Sequence, residues 1–163
     1  MKKIVLLLTL LLFVGCSSTS KLVSLPNLTF EINKSDNWML FDTPHGLISL
    51  KPKENNNISF VIYQNKVINP DKFNLEAYID KGLKKYNKKY KIIKKKKNSK
   101  KGESFEIVKT HYNEYVNYNV KTRETYFYKN NIVYVLVYGG NDKYFDKYIN
   151  DVNQMVKSFK VKE

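Results

Sequence analysis

The sequence predicts an α+β domain in which an antiparallel β-sheet carries packed helices. Three observations lead there. Apolar residues alternate from residue 28, three long strand-like segments follow one another between residues 104 and 138, and a stripe of helical period runs from 144 to 159.

In order along the chain, Leu28, Phe30 and Ile32 fall on one face of a short strand, and Asn33-Lys34-Ser35-Asp36-Asn37 carries turn chemistry. Residues 38–41 resume the extended pattern up to a second turn, Asp42-Thr43-Pro44-His45-Gly46. Residues 47–50 and 58–63 are two further strands, with Ile58, Phe60 and Ile62 on one side. After Asn69-Pro70-Asp71 the period becomes helical. Leu75, Tyr78, Ile79, Gly82, Leu83 and Tyr86 predict a helix over 74–88, with Asn74 as N-cap and Phe73 stapled onto Tyr78. Residues 90–97 begin as a strand and end as a lysine run, and 98–102 turn the chain.

Residues 104–112, 118–128 and 132–138 then read as strands. Asn130-Asn131 suits a tight hairpin because Asn tolerates positive φ. The last of the three is apolar on both faces, which predicts a central strand covered on both sides. Gly139-Gly140 is expected to end the sheet, with Asn141 or Asp142 capping one terminal helix. On it Tyr144, Phe145, Tyr148, Ile149, Val152, Met155, Val156 and Phe159 form a stripe that must pack on the sheet.

Ahead of this domain, Lys2 and Lys3 precede an apolar run over 4–14, interrupted only by Thr9, and Gly15 stands before Cys16. That is the composition of an export signal. The run is too short for a spanning helix, which needs about 20 apolar residues. Cys16 is the single cysteine of the chain, and Phe13-Val14-Gly15-Cys16 resembles the bacterial lipoprotein lipobox. The resemblance implies a diacylglycerol on the Cys16 thiol and cleavage just before it. Phe13 departs from the usual Leu, and the other reading is an ordinary signal cut near Gly15 that leaves a free thiol.

The expected organisation is a signal peptide over 1–15, a flexible tether over 16–26 and one domain over 27–163. The expected location is extracytoplasmic, with the lipid anchored in the cell membrane or outer membrane. Losing Lys2 and Lys3 lowers the 29 basic residues to 27 against 15 acidic ones, a net charge of about +12.

The element order, with FEINKSDNW over 30–38 and NIVYVLVYGGNDKYFDKYINDVNQMVKSF over 131–159, resembles the PsbP-like family. The resemblance covers residues 28–160 and rests on packing residues. It implies an α/β/α sandwich, a fold shared with small nuclear import factors, and a scaffold that works by contacting other macromolecules. It brings no catalytic signature, and no functional residue of the family maps onto this chain.

Residues 81–102 hold 12 lysines, and Lys94, Lys95, Lys96, Lys97, Lys100 and Lys101 are candidates for binding an anionic surface. The other reading is a solvated face in a chain of biased composition, where Arg123 is the single arginine. Specific phosphate or base recognition favours the planar fork of arginine, so nucleic acid is not an expected partner. His45 and His111 are the two histidines, too few for a zinc site with the cysteine already used.

No GxSxG, HExxH or P-loop pattern is present, so neither enzymatic activity nor a cofactor or metal is expected. Alternation places most of Glu103, Glu106, Glu114 and Glu124 on a wet sheet face. Tyr112, Tyr115, Tyr118, Tyr126 and Tyr128 either form a stacking or docking platform or simply follow the preference of tyrosine for sheets.

The expected function is that of a lipid-anchored envelope lipoprotein with a non-enzymatic protein-binding or assembly module. Its partners are the membrane, through the lipid, and another envelope protein. The alternative is a binder of anionic glycan or lipid headgroups through residues 81–102.

Overall fold

Among the described residues ten strands and three α-helices follow one another as β1 (Ser20–Val23), β2 (Phe30–Ser35), β3 (Trp38–Leu40), β4 (Ile48–Pro52), β5 (Ile58–Lys66), α1 (Leu75–Tyr86), β6 (Lys91–Asn98), β7 (Ser104–Asn113), β8 (Tyr118–Lys129), β9 (Ile132–Asn141), α2 (Asp142–Phe145), α3 (Ile149–Ser158) and β10 (Lys160–Val161). This computed structural model describes residues 20–23, 28–42, 46–86, 89–98 and 104–162. The signal segment, Cys16, most of the tether, His45, Lys100, Lys101 and Glu103 lie outside the described residues, as does most of the 98–102 turn.

The main sheet is antiparallel, in the order β3-β4-β5-β9-β8-β7-β6, and a small second sheet has the order β1-β2-β10. β9 is the middle strand, and its two faces feed two cores. Tyr134, Leu136 and Tyr138 point into the larger one, closed by α3 with Val152 and Met155 and by β2 with Phe30 and Ile32. Val133 and Val135 point into the smaller one, closed by Leu75 and Ile79 of α1. A helix on each side of a sheet makes the α/β/α sandwich that the PsbP-like resemblance implies.

Several local expectations hold in detail. The Ala77 amide donates to Asn74 Oδ1 at 2.9 Å, so Asn74 caps α1. The Phe73 and Tyr78 rings lie 5.8 Å apart, as a hydrophobic staple requires. Asn130 and Asn131 have φ of 53° and 60° between β8 and β9.

Other expectations are corrected. Ser20–Val23 falls in the expected flexible tether, yet it is a strand paired with Ile32–Ser35 through four residue pairs, and Val23 is buried. The turn chemistry of residues 33–35 gives way to β2, leaving Asp36 and Asn37 as the turn. The lysine run is strand throughout, as β6.

The glycine pair continues β9 to Asn141 instead of ending the sheet. Gly139 faces Ser59 and Thr122, and Gly140 faces Ile58 and Lys121. A Cβ on Gly140, whose φ is +148°, would lie 1.9 Å from the Asn57 carbonyl oxygen. The glycine thus admits a close backbone approach within the ladder.

The terminal helix is two helices, with a 3₁₀ turn at Asp146–Tyr148 between them. The Tyr138 hydroxyl takes the Phe145 carbonyl, and the Ile149 amide bonds to Asp146 instead. Phe159 lies beyond α3 in extended conformation and remains buried against Phe30, Phe127 and Tyr134.

Candidate functional site

α3 packs over the middle of the main sheet and leaves the outer strands β6, β7 and β8 open on the same face. A groove runs there between helix and strands. One part, of about 230 Å³, is lined by Ser104, Glu106, Arg123, Thr125, Phe127, Asn153 and Val156. A second part, of about 410 Å³, shares Glu106, Arg123 and Asn153 and continues past Lys94, Lys121 and Ile149.

Strand register decides which side chains meet here. Glu106 stands opposite Thr125 and Val108 opposite Arg123, which places Glu106 and Arg123 on a diagonal. Arg123 Nη2 lies 2.6 Å from Glu106 Oε2, Lys94 Nζ donates to Glu106 Oε1 at 2.8 Å, and Arg123 Nη1 donates to Asn153 Oδ1 at 2.5 Å. Burial works to raise the Glu106 pKa. The Lys94 hydrogen bond and the Arg123 and Lys94 charges outweigh it, and the carboxyl is held below its ordinary 4.5.

Arg123 Nε and Thr125 Oγ1 are buried without a protein hydrogen-bond partner. Such groups are costly to leave unmet. The groove therefore offers paired fixed charges beside apolar walls, with an unmet donor and hydroxyl just beneath its surface, which is recognition chemistry.

The opposite face has a smaller cavity of about 140 Å³ under α1, bordered by Gly82, Leu83, Tyr90, Lys109, Glu124 and Tyr126. Lys109 Nζ lies 2.7 Å from Glu124 Oε1 and 4.5 Å from the Tyr90 ring centroid. The Tyr126 hydroxyl donates to Glu124 Oε2 at 2.6 Å. Burial first, then the adjacent Glu124 carboxylate, pushes the Tyr126 phenol far above its ordinary range.

The candidates named from sequence are dispersed. Lys95 pairs with Asp80 (2.6 Å) and Glu76 (3.7 Å) of α1, Lys97 with Glu76 (3.9 Å), and Lys94 with Glu106. Three of the four described lysines of the run are thus held by carboxylates. Glu124 is not on a wet face, its side chain being 12% exposed under α1; Glu106, 21% exposed, borders the open groove, and Glu114 is exposed in a turn.

The tyrosines do not form one platform, since Tyr126 and Tyr128 pack toward α1 while Tyr112, near the end of β7, and Tyr115, in the β7–β8 turn, are exposed. His111 Nδ1 is buried without a partner. Burial, then Lys109, lowers the pKa of its imidazole, whose ring lies 4.6 Å from Tyr90. Among the described residues no three His, Cys, Asp or Glu side chains converge as metal ligands.

Sequence reasoning missed Arg123, Thr125, Asn153 and Lys109 as site residues. One signal was available, a lone arginine in a lysine-rich chain, flanked on its own strand face by Lys121 and Thr125.

No family model matches this chain, and no curated protein matches it in sequence. Solved structures do match. CyanoP, the cyanobacterial PsbP of Synechocystis sp. PCC 6803, superposes with a TM-score of 0.61 at 10% identity, over 91% of this chain and 95% of that one. LpqN, involved in cell envelope biogenesis of Mycobacterium tuberculosis, gives 0.61 at 8% identity over 92% and 88%. PA94, a protein of unknown function from Pseudomonas aeruginosa, gives 0.56 at 13% over 85% and 94%. At such identities the likeness is one of fold, and the fold of this chain is the PsbP-like sandwich.

Proposed function

We propose that the chain is a lipoprotein, acylated on Cys16, whose PsbP-like body is a non-enzymatic module that engages another protein of the cell envelope. The observation that carries this reading is the open groove beside α3, where Arg123 Nε and Thr125 Oγ1 are buried yet unmet by the protein. A partner segment that parts the side chains of the groove and supplies an acceptor and an apolar side chain would satisfy both and cover Phe127 and Val156. The part played by the structural neighbour LpqN in cell envelope biogenesis supports the location. Glycan or headgroup binding by the lysine run is the weaker reading, because Lys94, Lys95 and Lys97 already neutralise carboxylates.

The test is a photo-crosslinking side chain at Asn153 in the intact protein in its own membranes, with the same probe at the exposed Ile68 as control. A discrete adduct from position 153 is expected, weakened about fivefold or more by Thr125→Val, equivalent to about 1 kcal/mol of one lost hydrogen bond. Absence of an adduct, or one indifferent to Thr125, refutes the groove.

A further inference from the structure

We propose that one end of the sandwich is a bilayer-facing surface, on which Tyr115 and Val116 seat among lipid headgroups while Lys89 meets anionic phosphates. This rests on the acylation of Cys16 and adds which end of the body the anchor turns toward the membrane.

A chain of short contacts fixes the geometry. β1 enters at Ser20, opposite Ser35, the last residue of β2. Two residues on, the Asn37 carbonyl accepts from the Lys53 amide at 2.9 Å, where the β4–β5 turn begins. That turn ends at Asn57, whose carbonyl accepts from the Asn141 amide at 2.9 Å. Asn141 pairs with Val120, and Val120 with His111, one step before Tyr112. The entry of β1 and the tip of the β7–β8 hairpin therefore lie at the same end of the sheets. α1 runs toward that end, since Glu76 meets Lys97 while Gly82 and Leu83 meet Tyr90 and Ile92.

The tip is built to present its apolar groups. Tyr115 is fully exposed at 101%, and Tyr112 and Val116 are exposed beside it. The Tyr115 amide donates to Asn113 Oδ1 at 3.0 Å, Tyr112 and Asn117 hydrogen-bond through their side chains, and Asn117 takes φ 55°. Lys89 borders the same open surface as Tyr112, Glu114 and Tyr115. Lys84, Lys85, Lys89 and Lys91 stand at this end against Glu114 and Asp142, and Asp142 is shared with Lys121 at 3.8 Å. Tyrosine with flanking lysine is the chemistry of the membrane interface.

Reach separates this end from the lysine run. Cys16 precedes Ser20 by four residues, which span at most about 14 Å. Lys94 lies opposite Val108 and Lys97 opposite Phe105, five and eight residues up β7 from Asn113. At ~3.3 Å per residue that is about 17 and 26 Å, beyond the ~8 Å over which salt leaves surface attraction intact.

The experiment uses the mature protein from membranes with Tyr115→Cys, labelled by a maleimide fluorophore sensitive to polarity. Cys16 is the single natural cysteine, so one label per chain reports an acylated anchor and two report a free thiol. In vesicles of equal parts phosphatidylcholine and phosphatidylglycerol, the expected result is one label, blue-shifted emission and quenching by headgroup-level spin-labelled lipid. The same probe at Asn131→Cys, on the far hairpin, should show neither. Lys89→Gln should lower the quenched population about fivefold, whereas Lys94→Gln and Lys96→Gln should leave it unchanged. One label with aqueous emission at 115, or quenching that follows Lys94 and Lys96, overturns this orientation alone. Two labels overturn the anchor and the orientation with it.

Discussion

Lys109 and Glu124 face each other at 2.7 Å beneath α1, each 12% exposed, and Tyr126 shares the carboxylate. Removing one charge from such a half-buried pair leaves the other unmet, which costs about 3 kcal/mol, whereas neutralising both costs less. Lys109→Met should therefore lower stability by about 3 kcal/mol, and adding Glu124→Gln should recover most of it. Denaturant midpoints at unchanged slope are the measurement.

Glu106 sets a pH dependence. Its folded-state pKa lies below 4.5, so the ion pairs with Lys94 and Arg123 add stability that is complete above that value and is lost as pH falls through the folded-state pKa. The stability gap between the wild type and Glu106→Gln should thus be widest near neutrality and close on acidification. A gap that widens in acid contradicts the assignment. Alternation along β7 and β8 put most of the glutamates on a wet sheet face, whereas the register sets Glu106 on the α3 side and Glu124 on the α1 side. Alternation could not show that α1 covers the face of Glu124, so the expectation of a wet face failed there and held for Glu114.

At the scale of elements, β6 is an edge strand in which five of eight residues are lysine. Lys95 and Lys97 reach the acids of α1, while Lys94, and Lys96 opposite Glu106, point to the other face. Charge on an edge discourages strand addition by a second molecule. Replacing Lys94 and Lys96 by threonine, which favours strands, should promote self-association, seen by light scattering as a mass that rises with concentration. No rise would show that the lysines have no such guarding role.

The long hairpins, α1 with its cap and staple, and the terminal stripe were all legible because each repeats a period over many residues. The break at Asp146–Tyr148 was not. It depends on one tyrosine hydroxyl from β9 reaching the Phe145 carbonyl, and a 3₁₀ turn keeps the stripe on the same side. Ser158-Phe159 reads only in three dimensions as well. The Ser158 hydroxyl donates to the Met155 carbonyl and accepts from the Asn33 amide, which ties the end of α3 to β2 and sends Phe159 inward.

For the whole molecule, the layered architecture followed from the order of elements and from a central strand apolar on both faces. The small sheet was invisible, because β10 contributes two residues and β1 four, too few for any period to emerge. The groove was hidden for a related reason. Its residues come from β6, β7, β8 and α3, and only the offset of α3 from the sheet edge leaves them uncovered.

β2 lies between the strand that opens the described chain and the strand that closes it. A pull on the N-terminal segment enters the fold along the axis of β1, so the four residue pairs with β2 resist together in shear instead of unzipping one by one. Behind them stands Val23, seated in the larger core. Mechanical strain applied there is thereby taken up at the rim of the sandwich, and the seven-stranded sheet with its groove is left undeformed.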